Sequence, residues 1–540
     1  MPTINVYKWR ILNELKINES KLEDLLFNLK SEMKPIDQDH IEIEINNDRP
    51  DLLFVYGIIR AIKGLLKREL GEAKYQVKDT DYLFEVKEVK SRPYALSAIV
   101  ENIKLDDELL KELIQFQEKL HVTVGRKRKK IAIGLHDLDK IDSKHILYTT
   151  VDLNYKFVPL NSSKEMIVKE VLEETEQGKE YGTISLYNGK MPAIMQSDGQ
   201  ILSLPPVINA EKTRIETSTR NLFIDVTGTS LDTVIFTLDL IVTNLAEMGG
   251  KIGRVKVLSP YAEFSPVLRH SSIKISIDYI NNVLGTQLTK DEIIELLKMA
   301  RFDVNDIGSE LEVIIPPYRN DILAQIDITE DVAMTYGYAN LIPSPYKVGK
   351  IGELTEKTKI TRVIRDLSIG AGFTEIFTFI LTNDSYLIGN FVKILNPVTI
   401  DYNAVRNSLI PSMLQFLSKN QHARMPIKVF EVGEVVVENE KSETGYSNKL
   451  NAVYSIMNSK VSFEELQAPV HYILSNLGIS VEYKKAQHPF LIDGRTALIY
   501  CNGKKIGIIG EVKPEILEKL KIEYPIAISE IYLDEIKELL

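Results

Sequence analysis

The sequence has 540 residues, of which 44% are hydrophobic and 26% are charged, and its formal net charge is −10. A chain of this length is expected to fold as about three to five domains, because one hydrophobic core does not grow to this size. No apolar run is long enough to span a membrane, and the N-terminus has no signal-peptide core, so we expect a cytoplasmic protein. The negative charge excludes a globally basic nucleic-acid binder. The single cysteine, Cys501, excludes an internal disulfide and suits a reducing compartment.

Residues 1–85 predict a small mixed domain. Residues 20–29 have a helical pattern, and residues 41–45 alternate isoleucine with glutamate as in a half-exposed strand. The strand ends in an Asn/Asp/Pro-rich turn at 46–51, and a helix follows over 52–69. Asp51 is predicted to be the N-cap of that helix.

Residues 86–262 predict a second unit, with strands at 82–89 and 94–100 and a helix at 106–120. Five consecutive basic residues, 126–130, then precede a strand. They are either a phosphate-contacting segment or a solvated hairpin tip. His136 and Asp137 are adjacent on that strand and would point to opposite faces, which favours a strand end over a catalytic pair.

Two later segments of this unit combine apolar strands with small polar residues. In the first, SLPPVIN at 203–209, a double proline stiffens a loop beside a strand. In the second, TRNLFIDVTGT at 219–229, an alternating strand ends in small polar residues. Such a layout can line a pocket with hydroxyl and carboxylate groups. The alternative is two ordinary strand ends followed by turns.

Residues 316–338 hold the most unusual charge pattern. A double proline at 316–317 stops a strand, and the following helix places Ile326, Val332 and Ala333 at the spacing of a buried stripe. Four carboxylates lie close together in this segment. Three of them share one helix face, Asp327, Glu330 and Asp331, and Asp321 lies at the turn before the helix. Oxygen ligands without His or Cys suit Mg²⁺. The alternative is an acidic, solvated first turn favoured by the helix dipole.

Residues 346–540, after a Pro-Ser-Pro linker at 343–345, predict an antiparallel sheet with flanking helices, since glycine turns such as Asn502-Gly503 join neighbouring strands. The predicted strands are 375–381, 391–395, 427–437, 451–457, 496–502 and 505–512, and the predicted helices are 355–368, 408–420, 462–477 and 514–521.

Several short segments resemble, in order, motifs of the phenylalanyl-tRNA synthetase beta subunit family. The resemblance extends along essentially the whole chain. The N-terminal region has no room for the RNA-binding barrel of the bacterial type, so the chain is similar to the archaeal/eukaryotic type. The segments include NDRPDLL at 47–53, the two pocket segments above, YRNDI at 318–322 with Tyr336-Gly337-Tyr338, and FEVGE at 430–434.

The resemblance implies an α+β multidomain fold. Its expected parts are an N-terminal mixed domain (1–85), an editing domain (86–262), a small helical Mg²⁺-binding module (263–345) and a class II synthetase catalytic-like domain without its active site (346–540). It also implies that Asp321, Asp327, Glu330 and Asp331 bind Mg²⁺, an ion shared with the alpha subunit. The implied editing pocket, which removes tyrosine wrongly attached to tRNA(Phe), contains Ser203, Pro206, Asn209, Asp225 and Thr227.

Physical chemistry supports the need for such a pocket. A site built for phenylalanine cannot strongly exclude an analogue that adds only a hydroxyl, so a second, hydrolytic site improves accuracy. A polar pocket can then reject phenylalanine, whose ring would leave buried polar groups unpaired. No general base stands out, which favours attack of water assisted by the substrate.

The last part of the chain lacks the arginines that class II synthetases use to bind ATP. After Phe430-Glu431 the next arginine is Arg495, and the helix that would open with another reads KPEILE at 513–518. We therefore expect phenylalanine–tRNA ligase activity, with ATP and phenylalanine bound, only in a complex with the alpha subunit, as an alpha2beta2 heterotetramer acting on tRNA(Phe). Two other hypotheses are a non-catalytic RNA-binding scaffold with a decayed editing pocket and a nuclease that uses the acidic cluster.

Overall fold

The computed structural model describes residues 1–343, 345, 349 and 351–537. It divides into two compact units, Met1–Pro345 and Tyr346–Leu540. Ser344 of the predicted linker lies outside the described residues. The predicted α+β, multidomain architecture is confirmed. Within the described ranges, no helix has the length and apolar character that a membrane crossing needs.

The first unit begins with a three-stranded antiparallel sheet of order β1-β3-β2, whose alternating isoleucines and valines face the helices. The predicted N-cap role of Asp51 is wrong. Its carboxylate accepts two hydrogen bonds from Arg49, both of 2.8 Å, and the helix starts later, after Phe54. Asp51 is buried, so an ion pair replaces the expected cap. The elements are β1 (Thr3–Tyr7), α1 (Lys8–Leu15), α2 (Glu19–Asn28), β2 (Glu32–Pro35), β3 (His40–Glu44) and α3 (Val55–Leu65).

A large mixed sheet follows, with strand order β12-β11-β10-β7-β4-β14-β5-β13-β6, and β15 pairs with β14. Strand β13 is buried along its whole length, because it lies between two strands and under α7. The elements are β4 (Val77–Val86), β5 (Tyr94–Glu101), α4 (Asp107–Val122), β6 (Ile131–Asp137), β7 (His145–Asp152), β8 (Lys156–Phe157), β9 (Met166–Ile167), α5 (Val168–Glu174), α6 (Glu176–Tyr181), β10 (Lys190–Gln196), β11 (Ile201–Leu204), β12 (Ile208–Asn209), β13 (Leu222–Gly228), α7 (Leu231–Glu247), β14 (Lys251–Leu258) and β15 (Phe264–Ser265).

The first unit ends with a sheet of order β16-β18-β17 that packs against three helices. On α10 the buried face holds Ile328, Val332 and Ala333, whereas Ile326 is 48% exposed. The predicted burial of Ile326 is therefore wrong, because the face is set by the i, i+4 pair Ile328 and Val332. The elements are β16 (Ser271–Ser276), α8 (Ile277–Leu284), α9 (Lys290–Met299), β17 (Asp303–Asp306), β18 (Glu310–Ile315) and α10 (Gln325–Tyr336).

The second unit is built on a seven-stranded sheet of order β19-β22-β23-β27-β26-β25-β24, antiparallel except where β19 meets β22. Two predictions are wrong here: no strand forms over 391–395, and the predicted strand at 375–381 is reduced to two short ones. The elements are α11 (Glu356–Gly370), β19 (Thr374–Glu375), β20 (Leu381–Thr382), β21 (Ala404–Val405), α12 (Ile410–Lys419), β22 (Ile427–Glu438), β23 (Tyr446–Met457), α13 (Phe463–Asn476), β24 (Glu482–Lys485), β25 (Leu491–Cys501), β26 (Lys504–Val512), α14 (Pro514–Lys519), β27 (Ile526–Tyr532) and α15 (Leu533–Lys537).

A buried carboxyl on α4 makes the stability of the first unit depend on pH. Glu112 is 5% exposed and accepts a hydrogen bond of 2.9 Å from the Tyr7 amide, and burial raises its pKa to about 7. A carboxyl with a raised pKa in the folded state binds a proton that the unfolded chain has released, so stability falls as the pH rises from about 4.5 to about 7. We expect Glu112→Gln to increase the free energy of unfolding at pH 8 by about 2 kcal/mol and to have little effect at pH 5.

Urea unfolding at the two pH values measures this difference. The exposed Glu88→Gln is the control, since it removes the same charge without a buried site. A gain at pH 5 as large as the gain at pH 8 would contradict the assignment to Glu112 ionisation.

Candidate functional site

A cavity of about 360 Å³ lies in the first unit where α4, β6 and the β11–β12 corner meet. Its size is within the range of small-molecule sites. The apolar part of the lining comes from α4, β6 and the loop after β11, which contain leucine, isoleucine and proline. The polar part of the lining includes Gln117, Glu118, Arg128, Ser203, Asn209 and Asp225.

The structure brings four of the five predicted pocket residues to this cavity: Ser203, Pro206, Asn209 and Asp225 all line it. Thr227 lies two residues after Asp225, on the same face of β13, but it does not line the cavity. Its hydroxyl accepts a hydrogen bond of 2.9 Å from Arg92 Nε. Thr227 therefore lies outside the cavity lining, on the strand that carries Asp225.

The buried end of the cavity carries polar groups of two kinds. The Ser203 side chain is buried, and its hydroxyl has no hydrogen-bond partner among the described residues. Asp225 Oδ2 lies 2.9 Å from His136 Nε2, and His136 Nδ1 lies 2.8 Å from Thr213 Oγ1. Because an unpaired buried hydroxyl is costly, Ser203 offers a hydrogen bond to a ligand that has a complementary group.

A hydrogen-bonded chain forms another part of the cavity wall. Arg128 donates from Nη1 to two backbone carbonyls at 206 and 207, both at 3.0 Å, and from Nη2 to Glu118 Oε1 at 2.7 Å. His121 Nε2 accepts a hydrogen bond of 2.8 Å from the Ile133 amide. The proton of the neutral His121 ring is therefore on Nδ1, which lies 3.1 Å from Glu118 Oε1.

The charges of this wall are fixed near neutral pH. Burial would raise the pKa of Glu118, but the hydrogen bonds that His121 and Arg128 donate, together with the charge of Arg128, outweigh it and lower that pKa to about 2. Burial is the main reason that the pKa of His121 lies below its ordinary value. Glu118 is therefore an anion and His121 a neutral donor at pH 7. Neither is suited to exchange protons as a general acid or base there.

The acidic helix α10 presents a different arrangement from the predicted metal site. Arg319 lies between Asp321 and Asp331 and donates to Asp321 Oδ2 at 2.6 Å and to Asp331 Oδ2 at 2.7 Å. Its side chain is only 3% exposed. A permanently charged guanidinium thus neutralises two of the four predicted ligands.

The other two carboxylates have separate partners. Asp327 accepts hydrogen bonds of 2.8 Å from two backbone amides, at 323 and 324, at the start of α10, and Glu330 lies 3.2 Å from Lys30 Nζ. Over the described part of the chain, no group of three or more His, Cys, Asp or Glu residues is arranged to hold a metal ion. As arranged here, the four carboxylates do not fit a chelated Mg²⁺, and binding of Mg²⁺ by them stays a prediction.

In the second unit, the arginine that contacts β22 makes three hydrogen bonds within the protein. Arg406 donates to Glu431 Oε1 at 2.9 Å, to Thr378 Oγ1 at 2.7 Å and to the Glu434 carbonyl at 2.8 Å. Both members of the Arg406–Glu431 pair are buried. This guanidinium is part of the protein's own ion-pair network, and its buried charge is already paired with a carboxylate.

Comparison with known proteins identifies the family. The model for the phenylalanyl tRNA synthetase beta chain CLM domain matches residues 342–533, and that for the tRNA synthetase B5 domain matches residues 273–338. The phenylalanine–tRNA ligase beta subunit of Sulfurisphaera tokodaii is 77% identical over 540 residues, which cover 100% of both chains. The chain belongs to the phenylalanine–tRNA ligase beta subunit family. The resemblance inferred from the motifs is confirmed.

Other members of the beta subunit family agree. The beta subunit of Sulfolobus acidocaldarius is 58% identical over 539 residues, 99% of each chain. The solved N-terminal fragment of the phenylalanyl-tRNA synthetase beta subunit from Pyrococcus horikoshii is 36% identical, with a TM-score of 0.60, and covers 62% of this chain and 100% of that fragment.

Several cavity residues of this family member were not predicted, notably Gln117, Glu118 and His121 on α4. In the sequence these residues form a polar cluster near the end of an amphipathic helix. Such a cluster occurs both in pocket walls and on solvated helix faces, so it does not predict a pocket. The hairpin-tip interpretation of the basic run is wrong, because the run joins α4 to β6. The strand-end interpretation of His136 and Asp137 is confirmed, since β6 ends at Asp137.

Proposed function

We propose that this chain is the beta subunit of a cytoplasmic phenylalanine–tRNA ligase that attaches phenylalanine to tRNA(Phe) with ATP and Mg²⁺. The observation that carries the proposal is the full-length identity of 77% with a beta subunit of that name. The chain supplies scaffold and proofreading, and an alpha subunit supplies the synthetic site. The second unit is proposed to have a class II synthetase-like fold without its activity, because its buried arginine is paired internally.

The proposed partner surface is an apolar patch of the second unit. Large apolar side chains between 377 and 402 are unusually exposed: Phe377 is 73% exposed, Phe379 74% and Leu395 100%. Contiguous exposed apolar residues mark surfaces that another protein covers. We assign this patch to the alpha subunit, within an alpha2beta2 assembly.

Placing charges on this patch is expected to prevent assembly. In the double variant Phe379→Asp, Leu395→Asp, the buried interface would contain two unpaired carboxylates, so we expect at least a tenfold loss of co-purified alpha subunit. The control, Ile369→Asp with Tyr472→Asp, changes two exposed apolar side chains (54% and 53%) elsewhere in the second unit. Sedimentation of the co-expressed chains measures the mass, and equal assembly of the two double variants would contradict the assignment.

We propose that the cavity of the first unit hydrolyses tyrosine from tRNA(Phe). The unpaired Ser203 hydroxyl and the Asp225 carboxylate lie at its buried end, where a phenol could hydrogen-bond and a phenyl ring could not. Asn209, whose amide donates to the Leu135 carbonyl at 3.3 Å, and Pro206 shape the rim. Thr227 is proposed to hold the neighbouring wall.

The proposed route of hydrolysis is attack of water assisted by the substrate itself. Glu118 stays ionised and His121 stays neutral near pH 7, so the wall offers orientation and a fixed charge. The ribose hydroxyl beside the ester would then guide the water.

Co-expression with an alpha subunit tests the proposed function. We expect phenylalanine-dependent ATP–pyrophosphate exchange only when both chains are present, because the alpha subunit would supply the synthetic site and this chain the scaffold that it needs. Equal exchange by this chain alone would refute the proposal. Hydrolysis of Tyr-tRNA(Phe) by the complex separates an active editing site from a scaffold with a decayed pocket. Mg²⁺-dependent cleavage of the tRNA strand would instead indicate a nuclease.

A further inference from the structure

The turn between α4 and β6 has an unusual backbone. Arg126, Lys127 and Arg128 have φ values of 48°, 55° and 62°, so three successive non-glycine residues are left-handed. This conformation costs an L-residue roughly 1–2 kcal/mol, yet no glycine or asparagine relieves it at these positions. Backbone hydrogen bonds hold the turn, including that from the Lys130 amide to the Gly125 carbonyl at 2.8 Å. Such local strain is typical of functional sites.

One cationic side chain of the turn points into the cavity wall, and three others are exposed. Arg128 lies in the cavity wall, where its guanidinium also stacks 4.5 Å from the Tyr181 ring. Arg126, Lys127 and Lys129 are exposed, and among the described residues none of the three side chains has an ion-pair partner. The chain has 76 acidic and 66 basic residues, so three adjacent cations without a carboxylate partner stand out. A polyanion can bind there without breaking an existing ion pair.

The position of these cations follows from the covalent chain. Lys127 and Lys129 are the direct neighbours of Arg128, so their Cα atoms lie about 3.8 Å from that of a wall residue. In the arrangement inferred here, the nucleotide chain of an ester whose amino acid occupies the cavity leaves it beside Arg128. Each nucleotide of the chain carries a phosphate, and lysine and arginine bind phosphates independently of sequence.

We propose that Arg126, Lys127 and Lys129 bind the sugar–phosphate backbone next to the charged 3′ end of the tRNA and orient the ester toward the cavity. They are positioning residues and do not contact the reacting atoms. The inference rests on the proposed editing function and adds the surface by which that site holds its substrate.

The test uses the co-expressed complex with the triple variant Arg126→Gln, Lys127→Gln, Lys129→Gln. The KM for hydrolysis of Tyr-tRNA(Phe) is expected to rise about tenfold while kcat is retained, and the dependence of log(kcat/KM) on log[salt] to become shallower by about 2. Tyrosyl-adenosine has no phosphate backbone, so its hydrolysis is expected to be the same in this variant as in the control variant.

The control variant is Lys78→Gln, Lys251→Gln, Lys256→Gln, which removes the same charge from exposed lysines on β4 and β14. Equal KM and equal salt dependence in the two triple variants would overturn the inference. If the unaltered complex hydrolyses neither substrate, the editing proposal fails. The inference is then decided by affinity for uncharged tRNA(Phe): weaker binding by the turn variant than by the control supports it, and equal binding overturns it.

Discussion

Replacing Gly134 by valine is expected to abolish hydrolysis of Tyr-tRNA(Phe) while the complex still attaches phenylalanine. A Cβ at this position would lie 2.1 Å from Asp225 Oδ2 and 2.7 Å from His136 Nε2. Both side chains are buried and bonded to each other, so neither can move aside cheaply. The added side chain therefore displaces the carboxylate and fills the floor of the cavity. We expect a loss of about 100-fold in kcat/KM for hydrolysis, which corresponds to about 3 kcal/mol.

Single-turnover hydrolysis and steady-state aminoacylation of the same complex measure the two activities. The control is Gly370→Val, because a Cβ at Gly370 would have no atom within 4 Å. A thermal melt separates loss of the site from loss of the fold, and Gly134→Ala gives a milder version of the same change. Undiminished hydrolysis by a folded Gly134→Val complex would show that the cavity is not the editing site.

Replacing Arg319 by methionine is expected to lower the free energy of unfolding by about 3–5 kcal/mol in the presence of a chelator. The change removes the guanidinium that pairs with Asp321 and Asp331, whose side chains are 11% and 5% exposed. The buried Arg49 stays nearby, but its own hydrogen bonds go to Asp51. If these carboxylates are Mg²⁺ ligands, millimolar Mg²⁺ should restore at least half of the lost stability, because the ion can then take the place of the guanidinium.

Urea unfolding with EDTA and with Mg²⁺ measures the rescue. Arg406→Met is the matched control: it removes an equally buried guanidinium that pairs with one carboxylate, Glu431, so it should destabilise the chain without rescue by Mg²⁺. A destabilised Arg319→Met chain that Mg²⁺ does not restore would contradict the predicted set of metal ligands.

The local pattern of apolar and turn residues is enough to predict most helices and strands near the cavity. The helix of α10, the strand β13 and the strand β6 follow from periodicity and from turn residues that are close in sequence. The pocket residues Ser203, Asn209 and Asp225 are predicted by the resemblance of two short segments to the beta subunit family, whereas the pattern alone left two ordinary strand ends as an alternative.

The rest depended on partners that are distant in sequence. Arg128 and its neighbours have the same charge and similar propensities, so only the packing of the turn against the loop at 206–207 decides which one points inward. Arg319 lies before α10 and its partner Asp331 lies within that helix, so helical periodicity does not predict that they pair. The edge strand β24 and the inner strand β27 were missed for a related reason: strand formation depends on neighbouring strands as well as on intrinsic preference.

The guanidinium of Arg319 has a consequence for the order of events after synthesis. Because the newly made polypeptide brings its own counter-ion, its acidic segment can collapse around α10 before any dissolved ion arrives. Arginine keeps its charge at every physiological pH, so this self-neutralised state lasts as long as the two carboxylates stay ionised. Burial raises the pKa of Asp331, so acidity acts on the carboxylate side of the pair. The first unit can therefore fold before Mg²⁺ binds and before it meets a partner chain.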